Sequence, residues 1–100
     1  MKYIVDIDGT ICTNTYGAYE SAEPFRDRID YFNHLFDSGH EIHYWTARGG
    51  NSGLDWQELT LKQLNLWGVK YTTARTGKPA YDLFICDKAI NVEEFFKEIK

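Results

Sequence analysis

Met1-Lys-Tyr-Ile-Val-Asp-Ile-Asp-Gly-Thr10 is a short apolar run that ends on two aspartates, Asp6 and Asp8, followed by Gly9 and Thr10. Tyr3, Ile4, Val5 and Ile7 supply aromatic and β-branched side chains at strand length, and a near-continuous apolar run is what a strand covered on both faces needs. Residues i and i+2 of a strand point the same way, so Asp6 and Asp8 are expected to project together near its C-terminal end. Two carboxylates so placed repel each other unless a cation or a shared proton sits between them. A bare Asp-x-Asp is also compatible with a loop aspartate beside a helix cap, so the rest of the chain has to decide.

One hundred residues, read as a single domain over 1–100, lie at the low end of what buries a self-sufficient core. An apolar fraction of 43% and an aromatic fraction of 16%, with few Gly and Pro and no repeat, argue for a globular chain rather than a disordered one. With 11 basic and 15 acidic residues the net charge is −4, so nucleic acid and anionic membrane surfaces are not expected as general partners. The sequence shows neither a charged-then-apolar leader nor an apolar run of membrane-spanning length, and a cytoplasmic protein is expected. Cys12 and Cys86 could form one bridge, but a reduced pair suits that compartment better, and neither has metal-ligand spacing.

Downstream of the first strand, residues 11–23 show neither helical nor strand periodicity and read as a loop or small flap. Pro24 opens a helix to about Ser38, with Phe25, Ile29, Phe32, Leu35 and Phe36 on one stripe and Gly39 as its C-terminal cap. His40–Thr46 reads as a second strand leading to Ala47 and Arg48, followed by a loop from Gly49 to Gly53. A second helix is expected from Leu54 to Trp67, stopped by Gly68. Its leucines and Trp56 and Trp67 do not fall on one stripe, which suggests a homo-oligomer that buries part of this helix. Val69–Thr73 reads as a third strand, Thr76–Pro79 as a turn, Asp82–Asp87 as a fourth strand and Val92–Lys100 as a closing helix.

Strands alternating with helices at these lengths predict an α/β fold with a parallel sheet and right-handed crossovers. Such sheets bind ligands at the carboxyl ends of their strands. Asp6 and Asp8, Thr46, Lys78 and Asp87 all fall on that edge. Taken in order, Asp-Ile-Asp-Gly-Thr, then Thr46 after strand two, Lys78 and the terminal Asp87 resemble the four signatures of the haloacid dehalogenase-like phosphohydrolase superfamily, across essentially the whole chain. The resemblance implies a three-layer Rossmann-like sheet of about four strands in the order 4-1-2-3, flanked by helices. Most members carry a cap domain after the nucleophile loop or before the lysine loop. Here there is room for neither, so a capless member is implied.

The resemblance also implies roles. Asp6 would attack phosphorus to form an aspartyl-phosphate, and Asp8 would protonate the departing oxygen and later take a proton from water. Mg²⁺ would be held by Asp6, Asp87 and the backbone carbonyl of Asp8. The Thr46 hydroxyl, the backbone N–H of Ala47 and Lys78 would hold the phosphoryl oxygens. Gly9, Thr10 and Arg48 are further candidates for substrate contact, although Arg48 is equally compatible with a surface position. Relatives with a similar Lys-Pro-x-Tyr-Asp segment carry two adjacent acids at the end of strand four, where this chain has Cys86-Asp87. Loss of that acid weakens Mg²⁺ binding if it is a direct ligand, and less if it only orients water.

Three functions follow from this reading. The leading one is a Mg²⁺-dependent phosphomonoester hydrolase acting on a sugar or polyol phosphate, because the Asp-Gly-Thr-Ile-Cys-Thr-Asn-Thr and Tyr-Trp-Thr-Ala-Arg-Gly-Gly-Asn-Ser-Gly segments look most like small phosphatases of surface-polysaccharide and sugar-phosphate metabolism. A phosphatase of nucleic-acid 3′ ends is the second, and the acidic charge balance counts against it. The third is a non-catalytic domain that binds a phosphorylated partner, for which an acid/base carboxylate at Asp8 would have no use.

Overall fold

The computed structural model of the chain describes residues 1–49 and 55–99. The expected loop at Gly50–Gly53, the first residue of the expected second helix, Leu54, and Lys100 lie outside the described residues. In chain order the elements are β1 (Lys2–Val5), a 3₁₀ turn (Tyr19–Ser21), α1 (Arg26–Asp37), β2 (Glu41–Trp45), α2 (Gln57–Leu66), β3 (Thr73–Arg75) and α3 (Val92–Ile99). The strands form one parallel sheet in the order β1-β2-β3, with Val5 opposite Tyr44 and Tyr44 opposite Ala74.

Helix α1 starts two residues later than the proline suggested, because that stretch is tied to the loop after β1. Pro24 bridges Cys12, and the Phe25 N–H donates to the Ile11 carbonyl at 2.8 Å. Its end follows the expected glycine stop. Gly39 adopts φ +99°, its N–H bonds the Phe36 carbonyl, and the His40 N–H bonds the Leu35 carbonyl, the paired bonds of a Schellman cap. Gly68 (φ +69°) ends α2 the same way, with bonds from Gly68 to Asn65 and from Val69 to Leu64. That second cap shifts the third strand. Val69 is spent on the helix end and the Lys70 N–H on Asn33 Oδ1 at 2.8 Å, so pairing begins at Thr73 rather than Val69.

One face of the sheet carries Val5, Ile42, Tyr44 and Ala74, all buried. Over it pack Ile29 and Phe32 of α1, Leu64 of α2, and Phe95 and Phe96 of α3. Phe32 is the hub: it stacks on Phe95 at 6.0 Å between ring centroids and meets Phe96 and Tyr44 edge-on at 5.6 and 6.4 Å. The other face is open among the described residues. Ile4 is 69% exposed, and His43 sits among polar neighbours, Thr73 Oγ1 at 2.6 Å and Glu41 Oε1 at 3.0 Å.

Two expectations are not met among the described residues. The apolar run of β1 is covered on one face only, because the described helical core residues pack on the Val5 side, so the described residues make two layers rather than three. Asp82–Asp87 forms no strand, and residues 81–90 are exposed throughout. The chain is pinned before them by the Lys78 N–H on the Thr46 carbonyl and after them by α3 on α1, and the stretch between crosses without joining the sheet. The expected order 4-1-2-3 is therefore not what is seen; β1 is an edge strand.

Because Phe32 is 3% exposed and meets four other aromatic rings, those of Tyr31, Tyr44, Phe95 and Phe96, Phe32→Ala should destabilise the fold by about 3–5 kcal/mol. Urea unfolding followed by circular dichroism checks this through the midpoint; an unchanged midpoint would show that α3 is not packed as described.

Candidate functional site

The alternation of β1 runs on past its end. Val5 and Ile7 point into the core, 6% and 0% exposed, which leaves Asp6 and Asp8 at the sheet's carboxyl edge. The chain then curls back, with the Thr10 and Ile11 N–H groups both donating to the Ile7 carbonyl and the Gly9 N–H to that of Cys12. Arg28 of α1 donates to the Thr10 carbonyl at 3.2 Å and clips this curl from outside.

The two aspartates, alike in sequence, have different surroundings. Asp6 Oδ1 accepts the Ile7 N–H at 2.9 Å and lies 3.8 Å from Lys78 Nζ, while 40% of its side chain reaches solvent. Partial burial raises its pKa above the ordinary carboxylate value, opposed by Lys78 and the Ile7 N–H and reinforced by the charge of Asp8. Asp8 is held on both oxygens. Arg48 donates from Nε to Oδ2 at 3.0 Å and from Nη2 to Oδ1 at 2.9 Å, the two-pronged geometry of a strong charge-assisted pair. The Thr46 hydroxyl donates to Oδ2 at 3.4 Å, and the Cys12 thiol to Oδ1 at 3.6 Å. Burial, with Asp8 beside it, pushes that thiol up to about 12, so Cys12 stays a protonated donor.

Thr46 and Lys78 come to the same edge as expected. Thr46 is buried; its hydroxyl accepts the Arg48 N–H at 3.3 Å while its carbonyl accepts the Lys78 N–H at 3.1 Å. Lys78 Nζ also lies 5.2 Å from the Tyr81 ring centroid. Ala47 follows Thr46 in a half-buried position, as do Gly9 and Thr10 beside Asp8. Asp87 is not brought in. It sits on the exposed stretch, where Cys86 Sγ is 3.9 Å from its Oδ1, and among the described residues no three His, Cys, Asp or Glu side chains gather to hold a metal.

Arg48 departs from the surface reading: it is 2% exposed, and its other nitrogen, Nη1, donates to Thr60 Oγ1 at 3.2 Å and Gln63 Oε1 at 2.6 Å. Tyr19 lies under its guanidinium at 4.7 Å. Thr60, Gln63 and Tyr19 were missed in the sequence. The available signal was a polar pair three residues apart on a helix face that also carries Leu64, but nothing local distinguishes such a pair from a solvated one.

Asp6 offers a partly buried carboxylate, the ligand type that a hard cation such as Mg²⁺ takes one or two of while filling its shell with water and phosphate oxygens.

No protein-family model and no curated protein matches the chain. Among solved structures it is similar to the crystal structure of a structural-genomics target from Vibrio cholerae, with 30% identity and a TM-score of 0.81 over 94% of this chain and 85% of that one.

A group whose pKa is raised by folding favours the folded state while protonated, and that contribution is lost as pH rises through the raised value. Ionised Asp6 therefore costs stability at neutral pH. Asp6→Asn keeps the oxygen that accepts the Ile7 N–H, so in chelator-treated buffer it should melt above wild type at pH 7. The gap should close toward pH ~3, below the ordinary carboxylate range. A wild-type protein that melts higher at neutral pH would contradict the burial of Asp6.

Proposed function

We propose that in this chain, which belongs to one protein family with the Vibrio cholerae protein, the carboxyl edge of the parallel sheet is the catalytic centre of a phosphomonoester hydrolase of the haloacid dehalogenase-like kind. The observation that carries this reading is the pair of unlike aspartates: Asp6 part-exposed beside Lys78, and Asp8 two residues on, held by Arg48.

Asp6 Oδ2 accepts no hydrogen bond among the described residues, so that oxygen is the one to attack phosphorus. As the Asp6–phosphorus bond forms, the bond from phosphorus to the alcohol oxygen breaks, and the alkoxide takes a proton from Asp8. Water then attacks the aspartyl-phosphate and gives its proton to Asp8, and the Asp6–phosphorus bond breaks to release phosphate. Lys78 neutralises charge on the phosphoryl oxygens, and the Ala47 N–H, next to the buried Thr46, is a second donor to them. Mg²⁺, held by Asp6 and the Asp8 carbonyl, would supply the remaining charge neutralisation.

The finer fold belongs to the same proposal. Asp82–Asp87 docked along the free edge of β1 would give the order 4-1-2-3, cover Leu83 and Ile85, now 75% and 88% exposed, and carry Asp87 to the edge that holds Asp6. The substrate class is a sugar or polyol phosphate. A second reading, a domain that binds a phosphorylated partner without turnover, draws on one observation: both oxygens of Asp8 are already engaged.

Phosphate release from a panel of sugar, polyol and 3′-nucleotide phosphates, with and without Mg²⁺, separates these. Turnover should require Mg²⁺, fall by several orders of magnitude in Asp6→Asn with the fold intact, and need more Mg²⁺ in Asp87→Asn. Phosphate binding without release in the wild type would favour the second reading.

We further propose self-association through α2, on narrower ground than its sequence suggested. Trp67 is buried and Trp56 packs edge-on against Tyr19 at 5.0 Å, but Leu66 stays 81% exposed beside a groove lined by Ala22, Leu59 and Lys62. Sedimentation should show a dimer or larger species that Leu66→Glu dissociates; a wild-type monomer at high micromolar concentration would end this proposal.

A further inference from the structure

We propose that Arg48 is a positioning residue that sets the plane and reach of the Asp8 carboxylate, and that it does not bind substrate. The inference rests on the phosphohydrolase reading, in which Asp8 hands a proton to the leaving group.

Arginine carries five N–H donors. In Arg48 one goes to Asp8 Oδ2, one to Asp8 Oδ1, one to Thr60 Oγ1 and one to Gln63 Oε1, so among the described residues four of the five are taken. A guanidinium that grips a phosphate does so with two parallel donors. That edge of Arg48 already faces Asp8, and the side chain is 0% exposed.

The guanidinium is itself held from several directions. Thr60 and Gln63 fix Nη1, the Tyr19 ring lies 4.7 Å from Cζ, and Gln63 in turn donates through Nε2 to the Tyr19 carbonyl at 2.6 Å. Three segments, α2, the 3₁₀ turn and the end of β2, thus close on one planar group. Its Nε and Nη2 present a fixed plane to Asp8, the only carboxylate they touch among the described residues.

With Arg48 on one in-plane side of Asp8, Thr46 Oγ1 on Oδ2 and Cys12 Sγ on Oδ1, few lone-pair directions remain for a substrate oxygen. Orientation of this kind matters to the step in which Asp8 moves a proton, and a small misplacement of a catalytic group is costly. It matters little where the leaving group needs no proton.

The test uses that difference. Wild type, Arg48→Lys, Arg48→Gln and Thr60→Val are compared on glycerol phosphate, whose alkoxide needs protonation, and on 4-nitrophenyl phosphate, whose phenolate leaves unaided. The ratio kcat/KM is read because it covers steps only through alcohol release, and melting temperatures are recorded alongside. In the two Arg48 variants glycerol phosphate should lose about a hundredfold or more, the scale of general-acid catalysis, and 4-nitrophenyl phosphate less than about tenfold. Thr60→Val, which keeps the ion pair but loosens its support, should show the same skew to a smaller extent.

An equal fall on both substrates would overturn the inference and mark Arg48 as structural. A rise in KM on both with kcat unchanged would overturn it in favour of substrate binding. If Arg48→Gln fails to fold, Arg48→Lys and Thr60→Val decide the matter by the same ratio. A wild type inactive on both substrates would sink the phosphohydrolase reading and this inference together, whereas an active wild type without the skew would sink this inference alone.

Discussion

The buried pair between Arg48 and Asp8 is the constraint on which the rest of the site depends. It joins the ends of β1 and β2, and through Thr60, Gln63 and Tyr19 it draws in α2 and the 3₁₀ turn. Removing one partner of such a pair costs about 3–5 kcal/mol because the other is left charged and buried. The pair itself need not add stability over an apolar pair of the same size; what it supplies is a unique geometry. The close approach of Thr46 and Cys12 to Asp8 follows from that geometry, since both donate to oxygens whose positions Arg48 sets.

Asp6 is governed by the opposite balance. No guanidinium meets it, its nearest cation stands 3.8 Å away, and partial burial makes its charge unfavourable. A carboxylate under that tension gains from anything that neutralises it, whether a proton, Lys78 or a divalent cation. Two aspartates two residues apart are thus differentiated by their neighbours: one saturated with donors, the other open on one oxygen.

The sheet adds a further asymmetry. Its core face is closed by a run of edge-on and stacked aromatic contacts among Tyr31, Phe32, Tyr44, Phe95 and Phe96, while its other face ends in Ile4 and a polar row on β2 and β3. An exposed edge strand with an apolar side chain is a template for pairing, and the exposed Leu83–Ile85 run in the same chain has the composition of a pairing strand.

Elements whose signal is local were legible in the sequence. The β1 run, the α1 stripe and the glycine stops at Gly39 and Gly68 depend on side-chain period and on a φ that glycine tolerates, and each appears near its expected place. Sequence order alone likewise put Asp6, Asp8, Thr46 and Lys78 on one sheet edge, since parallel strands joined by crossovers align their carboxyl ends. Burial and partnership were decided only by tertiary structure. A run of apolar residues does not say whether both faces of its strand are covered or whether it pairs at all, so Ile4 was read as covered and Asp82–Asp87 as a fourth strand. Nor does an arginine two residues past a strand reveal its partners, because Asp8, Thr60, Gln63 and Tyr19 are brought to Arg48 from separate parts of the chain by packing alone.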